Sequence, residues 1–472
     1  MQDNSGAAFE RVLDARLVMS IVATGIMSFS GVCVETAMNV TFPTLMREFS
    51  VDTATVQWMT TAYLLVLAAV VPVSGYLNRR FRTRHIFCFA MAFYIAGIVC
   101  GMTAQVFGAL LLGRVLEGIG TGVALPLMFN IITEQAPLEN LGFMMGVGSL
   151  VTAVAPAVGP SVGGWLAETF GWRAIFAALL PLLVVAFALG MGSIRQSHEV
   201  AREPLDVCGW ASLAASFACL VFAIDEGANV GWTSPVILAL FVAFLVLIGL
   251  FVVRERSCGH PLIHLAIFRE RGYVLGLGVI ACMQFAIMGL SFLLPNAAQL
   301  VLGKNQFEAG TTLLWGCILG AALAPVSGRI LDRLGARLPV VGGEACALVA
   351  VTLMCVLARD FSVGLMAGTY VVFALGQGLM YGTNMTCALG FLPAGIKADG
   401  NAMFTTLQQL SGAVGTSVTA AVVNAAQAGV VADGMAAATL AGTQAALVVL
   451  VAAVAVALAC AVLETGLASR RG

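Results

Sequence analysis

Between Arg271 and Lys304, and again between Asp360 and Lys397, the chain contains no Asp, Glu, Lys or Arg. Each run is longer than the ~20 apolar residues a helix needs to cross a bilayer's hydrocarbon. Inside that layer every backbone polar group must be satisfied within its own segment, so such runs fold as transmembrane helices. Composition extends the conclusion to the whole 472-residue chain. Only 10% of residues are charged and 60% are hydrophobic, with a mean hydropathy of +0.98, where a soluble domain carries about 25% charged residues. The sequence predicts an all-α polytopic membrane protein.

Apolar stretches recur from residues 17–39 to 441–463 and number fourteen as spans. An even number places both termini on one side, and the Lys/Arg bias identifies that side as cytoplasmic. Arg79, Arg80, Arg82, Arg84, Arg329, Arg333 and Arg337 fall in predicted inner loops, whereas the predicted outer segments hold only Arg47, Arg173, Lys304 and Arg359. The opening MQDNSGAAFERVLDAR is too charged for a cleaved signal peptide, so the first span is expected to remain.

The twelve cysteines are scattered with no C-x-x-C pair, which argues against a disulfide framework or a metal site. The net charge of −1 gives no nucleic-acid signature. Neither lysine, Lys304 nor Lys397, sits in a phosphate-binding loop. No cofactor and no enzymatic activity are expected, and any work must draw on an ion gradient.

Two basic loops echo one another: GYLNRRFRTR at 75–84 and GRILDRLGAR at 328–337. In register, Gly75 meets Gly328, Leu77 meets Ile330, Arg80 meets Arg333 and Arg84 meets Arg337. The echo predicts two homologous six-helix bundles, residues 1–194 and 263–472. Residues 195–262 then form a linker with an inserted pair of transmembrane helices.

These motifs resemble the major facilitator superfamily, and the span count points to its fourteen-span drug:proton antiporter branch. GRILDRLGAR fits the loop pattern G-x-x-x-D-R-x-G-x-R. GRVLEGIGTG resembles R-x-x-Q-G-x-G, with Arg114, Gly118 and Gly120 in place and Glu117 where glutamine is usual. GVGSLVTAVAPAVGPSVGGW looks like the antiporter motif, with Gly146, Gly159, Pro160, Gly163 and Gly164 matching and Ala155 replacing one glycine. ETAMNVTFP is similar to the first-span signature of multidrug exporters of Gram-positive bacteria. In the first-half loop Arg79 stands where the family has Asp, and Arg82 where it has Gly. A latch resting on that aspartate is therefore not expected there, which leaves Asp332 in the second half or other partners.

The resemblance implies export of an amphiphilic small molecule in exchange for protons, by a monomer in the cell (inner) membrane. A transporter of one specific metabolite, such as an amino acid or osmolyte, is the alternative. Glu35 is the expected proton carrier, because a mid-membrane charge costs about 2.5–3.5 kcal/mol on insertion scales and needs a reason to be there. Arg114 and Glu117, three residues apart on one helical face, are expected to pair and to modulate it. Gly146, Gly159, Pro160, Gly163 and Gly164 are expected to form a flexing span. Gly328, Asp332 and Arg333 are expected to form a cytoplasmic gate. Thr36, Asn39, Trp58, Tyr63, Asn130, Gln284, Tyr381 and Asn384 are the polar and aromatic residues expected to line a cavity. Glu344 reads as a solvated acid in the first turn of its span.

Overall fold

The computed structural model describes residues 13–470, except 52, 198–199, 201–203, 258, 260, 305 and 428–433. The side chains of Asn39 and Pro160 lie outside the described set. Helix α1, Ala15–Val40, starts where the Asp14 carboxylate accepts the Leu17 amide at 2.9 Å, satisfying one of the donors a helix start leaves free. A short helix α2, Phe42–Phe49, follows.

Helices α3 (Thr53–Val70) and α4 (Val73–Arg80) form one bent unit, with a 48° break at Pro72. Proline supplies no amide to the ladder, which accounts for the break. Then come α5 (Thr83–Thr103), α6 (Phe107–Gln135), α7 (Leu141–Phe170), α8 (Arg173–Ser193), α9 (Val207–Val230), α10 (Pro235–Ser257), α11 (Arg271–Leu300), α12 (Gln306–Leu334), α13 (Arg337–Val356), α14 (Val363–Gly390), α15 (Lys397–Gln427) and α16 (Met435–Ala468).

Among the described residues, twelve helices are long and apolar enough to cross a membrane, or thirteen with the α3–α4 pair counted as one span. The remaining stretch read as a span, 402–426, lies in α15. That helix is continuous but polar, carrying Asn401, Thr405, Thr406, Gln408 and Gln409. Buried hydroxyls along the helices are satisfied locally, as hydrocarbon requires: Thr24, Ser28, Thr133 and Thr419 each donate to the carbonyl four residues earlier.

Helices α1, α3, α5, α6, α7 and α8 pack on one another, as do α11 to α16. The two sets meet where α7 crosses α12 and α14, and where α15 touches α4 and α6. Helix α9 pairs with α10 and lies on both α3 and α15, so it covers a seam between the sets. There Trp210 Nε1 donates to the Ala69 carbonyl at 3.0 Å.

Candidate functional site

Glu35 lies half-buried on α1, one residue before Thr36, whose hydroxyl bonds back to Val32 and Cys33. Arg114 of α6 and Tyr63 of α3 lie within electrostatic reach of its carboxyl. Arg114 is fully enclosed. Its Nε donates to the Met59 carbonyl at 3.3 Å, its Nη1 donates to Glu117 Oε2 at 2.5 Å, and its guanidinium lies 4.2 Å above the centre of the Tyr63 ring. Tyr63 in turn donates to the Gly31 carbonyl of α1 at 3.4 Å. The i, i+3 pairing anticipated for Arg114 and Glu117 is therefore present, and both residues are at most 1% exposed.

A planar guanidinium stacked on an aromatic face and held by a carboxylate has its charge satisfied in low dielectric. It remains a fixed positive potential facing Glu35. Glu117 Oε1 and the Tyr94 hydroxyl are buried without a hydrogen-bond partner, and the two lie within electrostatic reach of each other. Tyr94 was not singled out from sequence, because a lone tyrosine in an apolar run carries no pattern.

The small residues of α7 make close helix contacts at both ends. A Cβ at Gly159 would collide with the Thr36 hydroxyl, and Gly163 sits as tightly on Ala37, so α7 is pressed against α1 beside Glu35. At the other end Gly146 lies on the Ala324 carbonyl, while a Cβ at Gly328 would overlap the Gly142 carbonyl of α7. Gly164 is half-buried in the C-terminal part of α7. Asp332 of α12 accepts the Gly142 amide at 2.8 Å and the Phe143 amide at 3.0 Å, which caps the α7 N-terminus. Arg329 stacks 4.4 Å over Phe143, and Arg333 is exposed.

The first-half loop also forms an ion-paired contact, with partners the loop sequence alone did not indicate. Arg79 Nη1 pairs with Asp399, in the first turn of α15, and Arg79 Nη2 donates to the carbonyls of Pro261 and Leu262 at 3.2 and 3.1 Å. His264 joins the same carboxylate, its amide at 2.9 Å and its Nδ1 at 2.7 Å. The segment leading out of α10 is thus tied into the junction of α4 and α15.

The proposed lining residues separate into different places. Trp58 is 42% exposed and meets Phe222 of α9 edge-on at 5.5 Å. Asn130 accepts from Asn401 of α15 at 2.6 Å, and Asn401 also donates to the Pro126 carbonyl, a polar tie between α6 and α15. Gln284 is buried beside Gly412, and Tyr381 is nearly buried next to Gly382, which packs on Ser149 of α7. Asn384 is fully buried and donates to the Gly276 carbonyl at 3.1 Å. Glu344, read as solvated, lies two turns into α13 and is 0% exposed, because the start of α13 is covered by α14 and α16.

The sequence matches the model of the Major Facilitator Superfamily over residues 24–416. The lincomycin resistance protein LmrB of Listeria monocytogenes is 35% identical over 414 residues, covering 86% of this chain and 87% of that protein. The multidrug resistance protein B homolog of Mycobacterium tuberculosis is 28% identical, covering 84% and 75%. A crystal structure of the human organic anion transporter MFSD10 superposes with a TM-score of 0.67 over 94% of this chain and 99% of that one, at 14% identity, a likeness of fold. With the enclosed Arg114–Glu117 pair, the α7 contacts and the Asp332 cap in place, these matches show that the chain is a multi-pass membrane transporter belonging to the major facilitator superfamily.

Proposed function

We propose that the protein exports hydrophobic or amphiphilic small molecules across the cell membrane in exchange for protons, by alternating access. The observation that carries this reading is Glu35, a half-buried carboxyl set opposite the enclosed Arg114. Ionised, it is attracted to the guanidinium; protonated, it is released from it, so proton binding changes how α1 and α6 hold one another. The resistance proteins among its relatives support the substrate class.

In this reading α15 is the remaining one of fourteen spans. Its polar residues face protein, as the Asn401–Asn130 bond supports. Residues 1–194 and 263–472 are the two six-span bundles, and α9 and α10 are the inserted pair in residues 195–262. Both termini are cytoplasmic, which puts the Asp332 and Arg79 contacts at the inner gate. Rocking of the two bundles breaks and remakes the contact of α7 with α12 near Gly328, while the contact of α7 with α1 beside Glu35 stays within the first bundle. One proton driven by 100 mV yields about 2.3 kcal/mol, and each pH unit about 1.4, enough for roughly a hundredfold gradient of a neutral substrate.

In proteoliposomes with an imposed pH gradient and ethidium as probe, Glu35→Gln is expected to abolish gradient-driven transport while expression and folding persist. Full retention of transport removes Glu35 from the mechanism.

A further inference from the structure

A second pair of acids lies deep among α11 to α16. Glu344 of α13 and Glu464 of α16 are each 0% exposed, on helices that pack directly together, and they are in electrostatic contact with each other. Both oxygens of Glu344 are buried without a hydrogen-bond partner. Glu464 faces the Cys387 thiol of α14. The other titratable neighbours are Cys282 of α11 and Cys460 of α16. None of these thiols can supply positive charge, and neither acid makes an ion pair among the described residues.

A third polar group belongs to the same place. A Cβ at Gly276 would sit 2.9 Å from Glu464 Oε1, and the carbonyl of that same Gly276 accepts from Asn384. The amide oxygen of Asn384 is itself buried and unpartnered. The arrangement contrasts with Glu117, whose charge is matched by Arg114 at 2.5 Å.

Two carboxylates enclosed together without a cation cannot both remain ionised. Their mutual repulsion adds to the loss of solvation, and proton uptake removes both penalties. Among the described residues no group of three metal-ligating side chains is present, so a bound metal is not the alternative the chemistry offers. We infer that Glu344 and Glu464 form a second proton-binding site, within the α11–α16 set and separate from Glu35. At least one of the two carboxyls holds a proton, leaving at most one negative charge between them. Helix α14, which contributes Cys387 and Asn384, also packs on α7 through Gly382, so the site is mechanically connected to the helix that bridges the two sets.

Infrared spectroscopy of the full-length protein in lipid nanodiscs at neutral pH tests the inference, with ionised and protonated carboxyls absorbing in separate regions. In a Glu35→Gln chain a protonated-carboxyl band is expected to persist. Replacing both Glu344 and Glu464 by Gln in that background is expected to remove it without lowering the melting temperature, since Gln relieves a buried charge. No protonated band in the Glu35→Gln chain alone, which needs no change at the pair, overturns the inference. So does a loss confined to the ionised region when both Glu344 and Glu464 are replaced. Because the readout is not transport, failure of the Glu35 mechanism leaves this result interpretable.

Discussion

The two basic loops, alike enough in sequence to suggest duplication, solve the same electrostatic problem with opposite polarity. At the end of α12 the motif carries the acid: Asp332 accepts two amides at the start of α7. At the end of α4 the motif carries a base, and the acid is in the first turn of the facing helix, where Asp399 of α15 takes Arg79 and His264. In both, negative charge ends at a helix N-terminus, where the backbone dipole favours it. Exchanging the ends of the interaction preserves that outcome and gives the α4–α15 contact a third participant, the 261–264 segment that follows the α9–α10 pair.

The largest expected effect is Arg79→Asp. It leaves Asp399, 0% exposed, facing a second carboxylate, a broken buried pair worth about 3–5 kcal/mol. A marked fall in melting temperature in detergent is expected. Adding Asp399→Asn to the same chain should recover most of the loss, because the introduced carboxylate can then cap α15 as Asp332 caps α7. A double variant no more stable than the single one breaks the equivalence of the two loops.

Asp332→Asn should cost less: its one amide oxygen keeps one of the two backbone hydrogen bonds, and what disappears is the other bond together with a charge at a helix end. The charge accounts for about 0.3–1 kcal/mol, or up to ~2 when partly buried. Melting temperatures of the two single variants, compared under one condition, rank the loops. If Asp332→Asn proves the more damaging, the swapped loop is the weaker of the two.

The backbone of the loops sharpens the contrast. Gly335 has φ +82°, a conformation costly for any residue with a side chain, while Arg82 in the matching position has φ −66°. Gly335→Ala should therefore destabilise by about 1–2 kcal/mol. Arg82→Gly should cost no more than about 0.4–1 kcal/mol, through the freer unfolded chain. Thermal unfolding of the pair checks the ordering.

These details show how much the residue pattern could reveal. Uncharged runs and the positions of glycine and proline made the helices legible, because hydrocarbon imposes one rule on every segment. The Arg114–Glu117 pair was legible because its partners are three residues apart. Arg79–Asp399 was not: 320 residues separate the partners, and no local rule joins them. Glu344 was misplaced for a related reason. An acid read as lying in the first turn of its span looks solvated until α13 is known to begin two turns earlier and α14 and α16 to cover it, and Glu464 near the chain end drew no notice at all. Trp58, chosen for its chemistry, instead meets Phe222, because α9 occupies that face of α3.

At the opposite end of the molecule from these loops, a carboxylate is held by ordinary exposed contacts and supplies the low end of the scale. Glu48 of α2 accepts Trp172 Nε1 at 2.6 Å and Arg173 Nη1 at 2.7 Å, while Arg173 also donates to the Ala104 carbonyl at 2.5 Å. The indole hydrogen bond first, and the guanidinium after it, hold this carboxyl below its usual range. A lowered folded-state value means the interaction stabilises at neutral pH and is lost as pH falls from the ordinary carboxylate value through the lowered one. Both partners are 38% exposed, so solvent screens the pair to a few tenths of a kcal/mol. Glu48→Gln should therefore shift the melting temperature only slightly at neutral pH, and the gap from wild type should close in strong acid. A shift rivalling that of Arg79→Asp means that α2 locks the structure as firmly as the buried α4–α15 contact does.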